Sequence, residues 1–228
     1  MVAMMHALRS QTRQLHFRSC IGRGRDVTAA SRISPRIDPM ILPLFRRSAR
    51  SDTISALYGT IVAQARLPCF YRDYAVADTV NGRFDLLVLH LGLVLHRLEE
   101  AGLKELGQAL FDRFCQDMDH NLREMGIGDL SVPKEMQRIG EAFYGRMQAY
   151  RAALAADDRA ALVQAVARNI YDNAPASWAA ADRLAAYMGE AVRDLNDQMP
   201  AALRAGQLHL PDPSAIPFVE DKGSILED

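Results

Sequence analysis

The most constraining feature of the sequence is the apolar run R-F-D-L-L-V-L-H-L-G-L-V-L-H-R-L at residues 83–98. At 3.6 residues per turn, apolar side chains form one wide stripe and also cover most of the opposite side. The stripe contains Phe84, Leu87, Val88, Leu91, Val94, Leu95 and Leu98, and the opposite side contains Leu86, Leu89 and Leu93. A bilayer span needs about 20 apolar residues, and this run is too short for one. It therefore predicts either the central helix of a helical domain or a wall of a groove that holds another apolar helix.

Charge divides the chain into two parts. Residues 1–50 contain ten Arg, no Lys and two Asp, a net charge of +8, whereas residues 51–228 carry a net charge of −9. The Arg-rich part has no sustained apolar period, so we expect a flexible extension there. A true start at Met40, a targeting segment and a nucleic-acid-binding arm are the three explanations of it. We expect the helical domain at 51–210 and a flexible, turn-rich tail at 211–228.

Helical periodicity continues through residues 51–210, and no segment shows convincing two-residue alternation. The sequence therefore predicts an all-α fold, a single multi-helix domain of about six or seven helices. The expected helix boundaries are Ser51, Asp78 or Thr79, Gly102, Gly126, Ser131, Asp157 or Asp158, and Ser177.

One polar cluster has the spacing of a metal site. Asp117, His120 and Glu124 lie at i, i+3 and i+7, which places them on one face of a helix predicted over 104–125. An acidic residue three positions before a His resembles half of a carboxylate-bridged two-metal site. The pattern that would complete it, E-x-x-H on a second helix, does not occur in the sequence. A solvated acidic face is therefore the favoured interpretation, and a metal-dependent helical-bundle enzyme that also uses His90 is the alternative.

The sequence contains no recognisable catalytic motif, and we predict no cofactor. No Ser or Cys lies in a nucleophile motif such as G-x-S-x-G. Cys20, Cys69 and Cys115 are far apart, which argues against a disulfide framework or a zinc knuckle and favours a reducing compartment.

Four segments of the domain together resemble a known family. They are L-Y-G-T-I-V-A-Q-A-R at 57–66, F-Y-R-D-Y-A-V-A-D-T-V-N-G-R-F-D-L-L-V-L-H at 70–90, F-C-Q-D-M-D-H-N-L-R-E-M-G-I-G-D-L-S-V-P-K at 114–134 and E-A-F-Y-G-R at 141–146. The resemblance is to the ubiquinol–cytochrome c chaperone family. It covers about residues 54–195.

The resemblance implies a non-enzymatic assembly chaperone for respiratory complex III, the bc1 complex. Mitochondrial members bind newly made cytochrome b together with a small partner protein, near the mitochondrial ribosome. The implied partners are nascent cytochrome b or other bc1 components, a small partner protein, and a ribosome or membrane surface. The implied location is the cytoplasm or the inner face of a bacterial cytoplasmic membrane, or the matrix side in mitochondria.

An acidic domain is poorly suited to hold RNA or anionic lipid by itself. Attachment to a ribosome or a membrane would then need Arg46, Arg47 and Arg50, or a partner. An RNA-binding factor that acts through the basic N-terminus is a weaker alternative.

The longest of these motifs suggests residues that contact a partner or client. The charged residues are expected on an exposed helix face, with a glycine turn, a lysine beside the turn and two residues of the next helix on the same surface. These residues are Asp117, Asp119, Arg123 and Glu124, then Gly126, Gly128 and Asp129, then Lys134, and finally Tyr144 and Arg146. The competing interpretation is that Arg123 and Asp129 tie two helices together. Leu86, Leu89 and Leu93 are expected either to pack under other helices or to stay partly open for a client helix.

Overall fold

The computed structural model describes residues 42–216, with 42–49 and 176 described by their backbone alone. The chain divides into two compact units, Met1–Arg50 and Ser51–Asp228. Of the first, only the beginning of a helix is described. The expectations about residues 1–39, Met40 and residues 217–228 lie outside the described residues.

The described residues form eight α-helices and two 3₁₀ turns, and no strand occurs among them. The prediction of an all-α fold is confirmed. The helices are α1 (Leu42–Ala65), α2 (Pro68–Arg72), α3 (Val80–Glu100), α4 (Lys104–Glu124), α5 (Val132–Ala155), α6 (Arg159–Ile170), α7 (Trp178–Asp197) and α8 (Pro200–Arg204), and the 3₁₀ turns are Pro175–Ser177 and Pro213–Ala215.

Helix α3 is the centre of the fold, as the apolar run predicts. It contacts α4, α5, α6 and α7. Seven consecutive residues, 88–94, are buried. A helix that is apolar on nearly every side needs neighbours on every side, and here four other helices supply them.

The three leucines on the second side of α3 are covered. The exposed fractions of Leu86, Leu89 and Leu93 are 0%, 1% and 4%. Of the two alternatives predicted for them, packing under other helices is correct and a partly open face for a client helix is wrong, because the surrounding helices close over them. The half-exposed apolar side chains of α3 lie instead on the predicted stripe, at Phe84, Leu87 and Leu95.

Helices α3 and α5 approach each other closely at a glycine. A Cβ atom added to Gly92 would lie 1.7 Å from Sδ of Met147. Because real side-chain atoms cannot approach so closely, the absence of a side chain at residue 92 allows Met147 to pack against the backbone of α3.

Several predicted helix ends are confirmed. The Thr79 hydroxyl accepts a hydrogen bond from the Gly82 amide at the start of α3. Asp158 caps α6 by accepting from the Ala161 amide. Gly102 and Gly126 follow the ends of α3 and α4 with φ of +69° and +82°, the left-handed conformation that favours glycine.

One predicted helix start is wrong, and two others are correct in position although their side chains do not cap the helix. Ser51 lies inside α1, which begins at Leu42; Pro43 falls in its first turn, where proline is tolerated. Ser131 and Ser177 directly precede α5 and α7, as predicted, but neither side chain accepts a capping hydrogen bond. A backbone turn precedes each of these helices instead. Before α5, the Val132 amide donates to the Gly128 carbonyl, and before α7 a 3₁₀ turn leads into the helix.

The chain after α8 packs against the domain further than predicted. The Pro211 carbonyl accepts a hydrogen bond from Gln64 Nε2 at 2.8 Å. The Pro213 carbonyl accepts one from the Tyr74 hydroxyl at 2.7 Å. Residues 211–216 are thus not the loose start of a tail, because a half-buried amide of α1 and a buried hydroxyl of the segment after α2 bind their backbone.

His90 belongs to the same buried network. It is 0% exposed, with Nδ1 2.7 Å from the Leu86 carbonyl and Nε2 2.9 Å from the Tyr187 hydroxyl. Since a carbonyl only accepts, Nδ1 carries the proton and Nε2 accepts from Tyr187. The Tyr187 oxygen in turn accepts from Gln64 Nε2 at 3.0 Å. Burial lowers the pKa of His90 to about 4, so the ring is neutral at physiological pH.

Within residues 42–216, no helix has the combination of length and apolar composition that crossing a bilayer requires.

Replacement of Gly92 by alanine tests the contact between α3 and α5. We expect Gly92→Ala to lower the free energy of unfolding by about 1–3 kcal/mol, the usual cost of overpacking. Gly145→Ala is the matched control, because a Cβ at Gly145 in α5 meets nothing within 4 Å. The control should gain about 0.5–1 kcal/mol from helix propensity. Urea denaturation measures both, and equal stability of the two variants would contradict the contact.

The buried His90 predicts a pH dependence of stability. Its pKa is about 4 in the folded protein against an ordinary 6.5, so between these values the unfolded chain binds a proton that the folded chain does not. Stability therefore falls as the pH falls through this window, by up to about 3 kcal/mol.

The variant His90→Gln isolates this effect because glutamine does not titrate. We expect the wild type to lose more stability than the variant between neutral pH and the lower pKa, as measured by urea denaturation at several pH values. Parallel pH profiles of the two proteins would contradict a titrating, buried His90.

Candidate protein-binding surface

The turn between α4 and α5 presents two exposed apolar side chains on an ordered backbone. The Gly126 and Ile127 amides donate to the Arg123 and Leu122 carbonyls, the paired bonds of a Schellman motif. The Ser131 amide then donates to the Gly128 carbonyl at 2.7 Å. Met125 and Leu130, at the two ends of this turn, are 61% and 98% exposed.

Arg123 fixes the charged side of the turn. Its Nε lies 2.8 Å from Oδ2 of Asp119, one helical turn earlier, and its Nη1 contacts Oδ1 of Asp129. These hydrogen bonds and the nearby carboxylates raise the pKa of Arg123. Arg123 thus ties the end of α4 to the following loop, while remaining exposed at its own surface.

Two further charged groups surround the turn. His120 Nε2 lies 3.0 Å from Oε1 of Glu124, and both side chains are mostly exposed. Lys134 is exposed in the first turn of α5. We call the exposed set of Asp119, His120, Arg123, Glu124, Met125, Asp129, Leu130 and Lys134 the turn surface. Exposed apolar side chains with a charged rim are typical of a protein-binding patch.

Asp117 does not belong to the turn surface. Its Oδ2 accepts a hydrogen bond from the Tyr58 hydroxyl of α1 at 2.9 Å. The guanidinium of Arg113 lies 5.7 Å from the centre of the Tyr58 ring. Burial and then the bond to Asp117 raise the pKa of Tyr58. Asp117 therefore joins α4 to α1, in a surface groove of about 490 Å³.

Tyr144 and Arg146 face away from the turn surface, contrary to prediction. Tyr144 packs its ring 6.1 Å from the Phe111 ring, and its hydroxyl is buried without a hydrogen-bond partner. Arg146 Nη1 lies 2.7 Å from Oδ1 of Asp85 on α3, with side chains only 20% and 13% exposed. Because Tyr144 and Arg146 are two residues apart on a helix, their side chains point in different directions and contact different neighbours.

The ion pair of Asp85 and Arg146 lies between α3 and α5 rather than at a surface. The Arg146 guanidinium also lies 5.8 Å from the centre of the Phe84 ring. Burial raises the pKa of Asp85, and the charge of Arg146 and a hydrogen bond from it offset only part of that rise. The pair holds two helices together and does not reach outward for a partner.

The residues of the alternative metal site do not converge. His90 is in the core with both nitrogens hydrogen-bonded, Asp117 binds Tyr58, and His120 pairs with Glu124. In the part of the chain that the structure describes, no group of three His, Cys, Asp or Glu side chains is arranged to hold a metal ion.

Comparison with known proteins identifies the family. Over residues 72–210, the sequence matches the family described as Ubiquinol-cytochrome C chaperone. The chain belongs to this family. The resemblance seen in the sequence is thereby confirmed, and the match includes the whole turn surface of this chaperone-family protein.

Two individual relatives can be compared with this family member. A crystal structure of the Cbp3 homolog from Brucella abortus is 42% identical, with a TM-score of 0.71; the alignment covers 78% of this chain and 100% of that one. Ubiquinol-cytochrome-c reductase complex assembly factor 1 of Xenopus laevis is 25% identical over 116 residues, which is 50% of this chain. That match spans 58% of the length of the Xenopus protein.

Paired substitutions of two arginines distinguish the core from the surface of this chaperone-family domain. We expect Arg146→Met to lower the free energy of unfolding by about 2–4 kcal/mol, because Asp85 would remain buried without a partner. The loss should shrink as the pH falls, since the raised pKa of Asp85 lets it become neutral. Arg123→Met is the matched control and should leave thermal unfolding close to wild type. Similar melting temperatures of the two variants would contradict this division.

Proposed function

We propose that this protein is a non-enzymatic assembly chaperone for ubiquinol–cytochrome c reductase, respiratory complex III. The family match over residues 72–210 carries the proposal. Two relatives support it: a Cbp3 homolog over 100% of its chain, and a protein named as an assembly factor of this complex over part of its length.

We further propose newly made cytochrome b as the client, held at the turn surface. Met125 and Leu130 offer apolar contacts that folding leaves uncovered. The charged rim carries both signs, which suits the ends and polar face of an amphipathic helix. Since the turn is already fixed by backbone hydrogen bonds and by Arg123, binding would order few additional groups.

The remaining partners follow from the same proposal. A small partner protein would share the work of holding the client. The protein would act at the inner face of the energy-coupling membrane, where a ribosome delivers the client. The burial of Leu86, Leu89 and Leu93 directs the search for the client contact to the turn surface and away from the second side of α3.

A capture experiment tests the turn surface. The full-length protein is immobilised and supplied with cytochrome b synthesised in a cell-free reaction. We expect the double variant M125S/L130S to retain several-fold less client than wild type. Met199→Ser is the matched control, because Met199 is 68% exposed at another place on the domain. Equal capture by all three proteins would show that the turn surface does not hold the client.

A deletion strain tests the function itself. Loss of the gene should reduce both the complex III absorbance spectrum and the level of cytochrome b, and expression of the wild-type protein should restore them. A normal spectrum without the protein would contradict the assembly role. Restoration by M125S/L130S would contradict only the proposed client contact.

A further inference from the structure

An open pocket near the start of α3 is lined by several arginines. It measures about 510 Å³ and is lined by Arg66, Pro68, Tyr71, Arg72, Asp78 and Arg83. These residues come from the corner between α1 and α2 and from the segment that enters α3. Three guanidinium groups and one carboxylate line the pocket, although residues 51–228 as a whole carry a charge of −9.

Two of the three arginines have unused hydrogen-bond donors. The exposed side chain of Arg66 has no carboxylate partner among the described residues. Arg83 contacts Oδ1 of Asp78 at 2.7 Å through Nε, its side chain is mostly exposed, and its two terminal nitrogens have no hydrogen-bond partner among the described residues. Arg72 differs, because two of its nitrogens already bind both carboxylate oxygens of Asp73.

Arg66 and Arg83 line the pocket together with one aromatic side chain, Tyr71. The Tyr71 hydroxyl donates a hydrogen bond to the Ala65 carbonyl at 2.9 Å, which fixes the ring in place. Both guanidinium groups are close enough to lower the pKa of this hydroxyl, against the larger upward effect of burial. The ring thus shares the pocket with two cationic groups, of which Arg66 has no ion pair within the described part of the chain and Arg83 has an exposed one.

From this geometry we propose that the pocket binds a phosphate group between Arg66 and Arg83, with Tyr71 as its wall. The planar guanidinium fork matches two phosphate oxygens at once. The bond between Arg83 and Asp78 is exposed on both sides, so it offers little resistance to exchange with a ligand.

The rim of the pocket indicates which molecule carries the phosphate. Val80 is 72% exposed in the first turn of α3, three residues before Arg83 and thus on the same face of the helix. Pro68 at the other side of the pocket is also exposed. Apolar side chains beside arginines gain nothing from a soluble anion but insert at a lipid surface. The ligand is accordingly the headgroup of an anionic phospholipid, which attaches this face of an otherwise acidic domain to a membrane.

Vesicle sedimentation with the full-length protein tests the pocket. The probes are vesicles of phosphatidylcholine alone and of phosphatidylcholine mixed with phosphatidylglycerol in equal parts. We expect binding to the mixed vesicles only, weakened by added salt. Each of Arg66→Gln and Arg83→Gln should reduce the apparent affinity about five-fold, and the double variant about twenty-fold or more. Arg138→Gln, an exposed arginine of α5 paired with Glu135, is the matched control and should bind as wild type.

A second probe separates the two sources of phosphate. Inorganic phosphate is titrated against wild type, R66Q/R83Q and Val80→Asp, and amide chemical shifts of residues 66–83 are followed. A lipid site requires that Val80→Asp weakens vesicle binding while leaving the shifts caused by phosphate unchanged. Phosphate shifts that need both arginines, without any vesicle binding, would overturn the lipid assignment in favour of a soluble anion.

Other results would contradict the proposal that the pocket binds phosphate at all. These are an unchanged vesicle affinity of R66Q/R83Q, an equal loss in Arg138→Gln, or equal binding to both kinds of vesicle. Circular dichroism of every variant confirms that an altered affinity does not reflect unfolding. The proposal is independent of the client, since complex III assembly and vesicle attachment are measured separately.

Discussion

The fold depends on one helix that is enclosed along two full turns. Four helices surround α3, and α5 packs against its backbone where α3 has no side chain. Gly92 supplies that space, and Met147, a flexible side chain suited to irregular gaps, fills it. An apolar helix alone would tolerate many arrangements of its neighbours. A glycine opposite a long side chain restricts the contact between α3 and α5 to one depth and one register.

The polar groups of the domain fall into an enclosed set and an outward set. Inside, His90, Tyr187 and Gln64 pass hydrogen bonds along a chain in which each donor meets an acceptor, and Asp85 meets Arg146. Outside, exposed ion pairs contribute little to stability, so Arg123 and Arg83 are available for other roles. The two proposed contact regions both lie in the outward set. The turn surface, at the end of α4, is apolar with a charged rim of both signs. The pocket at the start of α3 is cationic.

The sequence predicts the architecture better than the site. Periodicity and the left-handed glycines 102 and 126 are local signals, and they predict most helices, the centrality of α3 and several of its boundaries. The placement of Asp117, Tyr144 and Arg146 depends on which helix lies opposite, and no pattern within one helix carries that information. The exposure of Leu130 could have been predicted from the sequence, because this apolar residue directly follows a G-x-G-D turn. The pocket at Arg66 and Arg83 could not have been predicted in this way, because it joins residues seventeen positions apart across two corners of the chain.

The hydrogen bonds of Tyr74 and Gln64 to the carbonyls of Pro213 and Pro211 bear on where this domain ends. The family match and the last helix both stop by residue 210, and a boundary drawn from either would remove these two acceptors. The buried Tyr74 hydroxyl would then lose its acceptor, whereas the half-buried Gln64 Nε2 would keep only its bond to Tyr187, beside His90. The structural limit of the domain is therefore set by two backbone oxygens in the segment after the last α-helix, whose 3₁₀ turn at Pro213–Ala215 contacts α2.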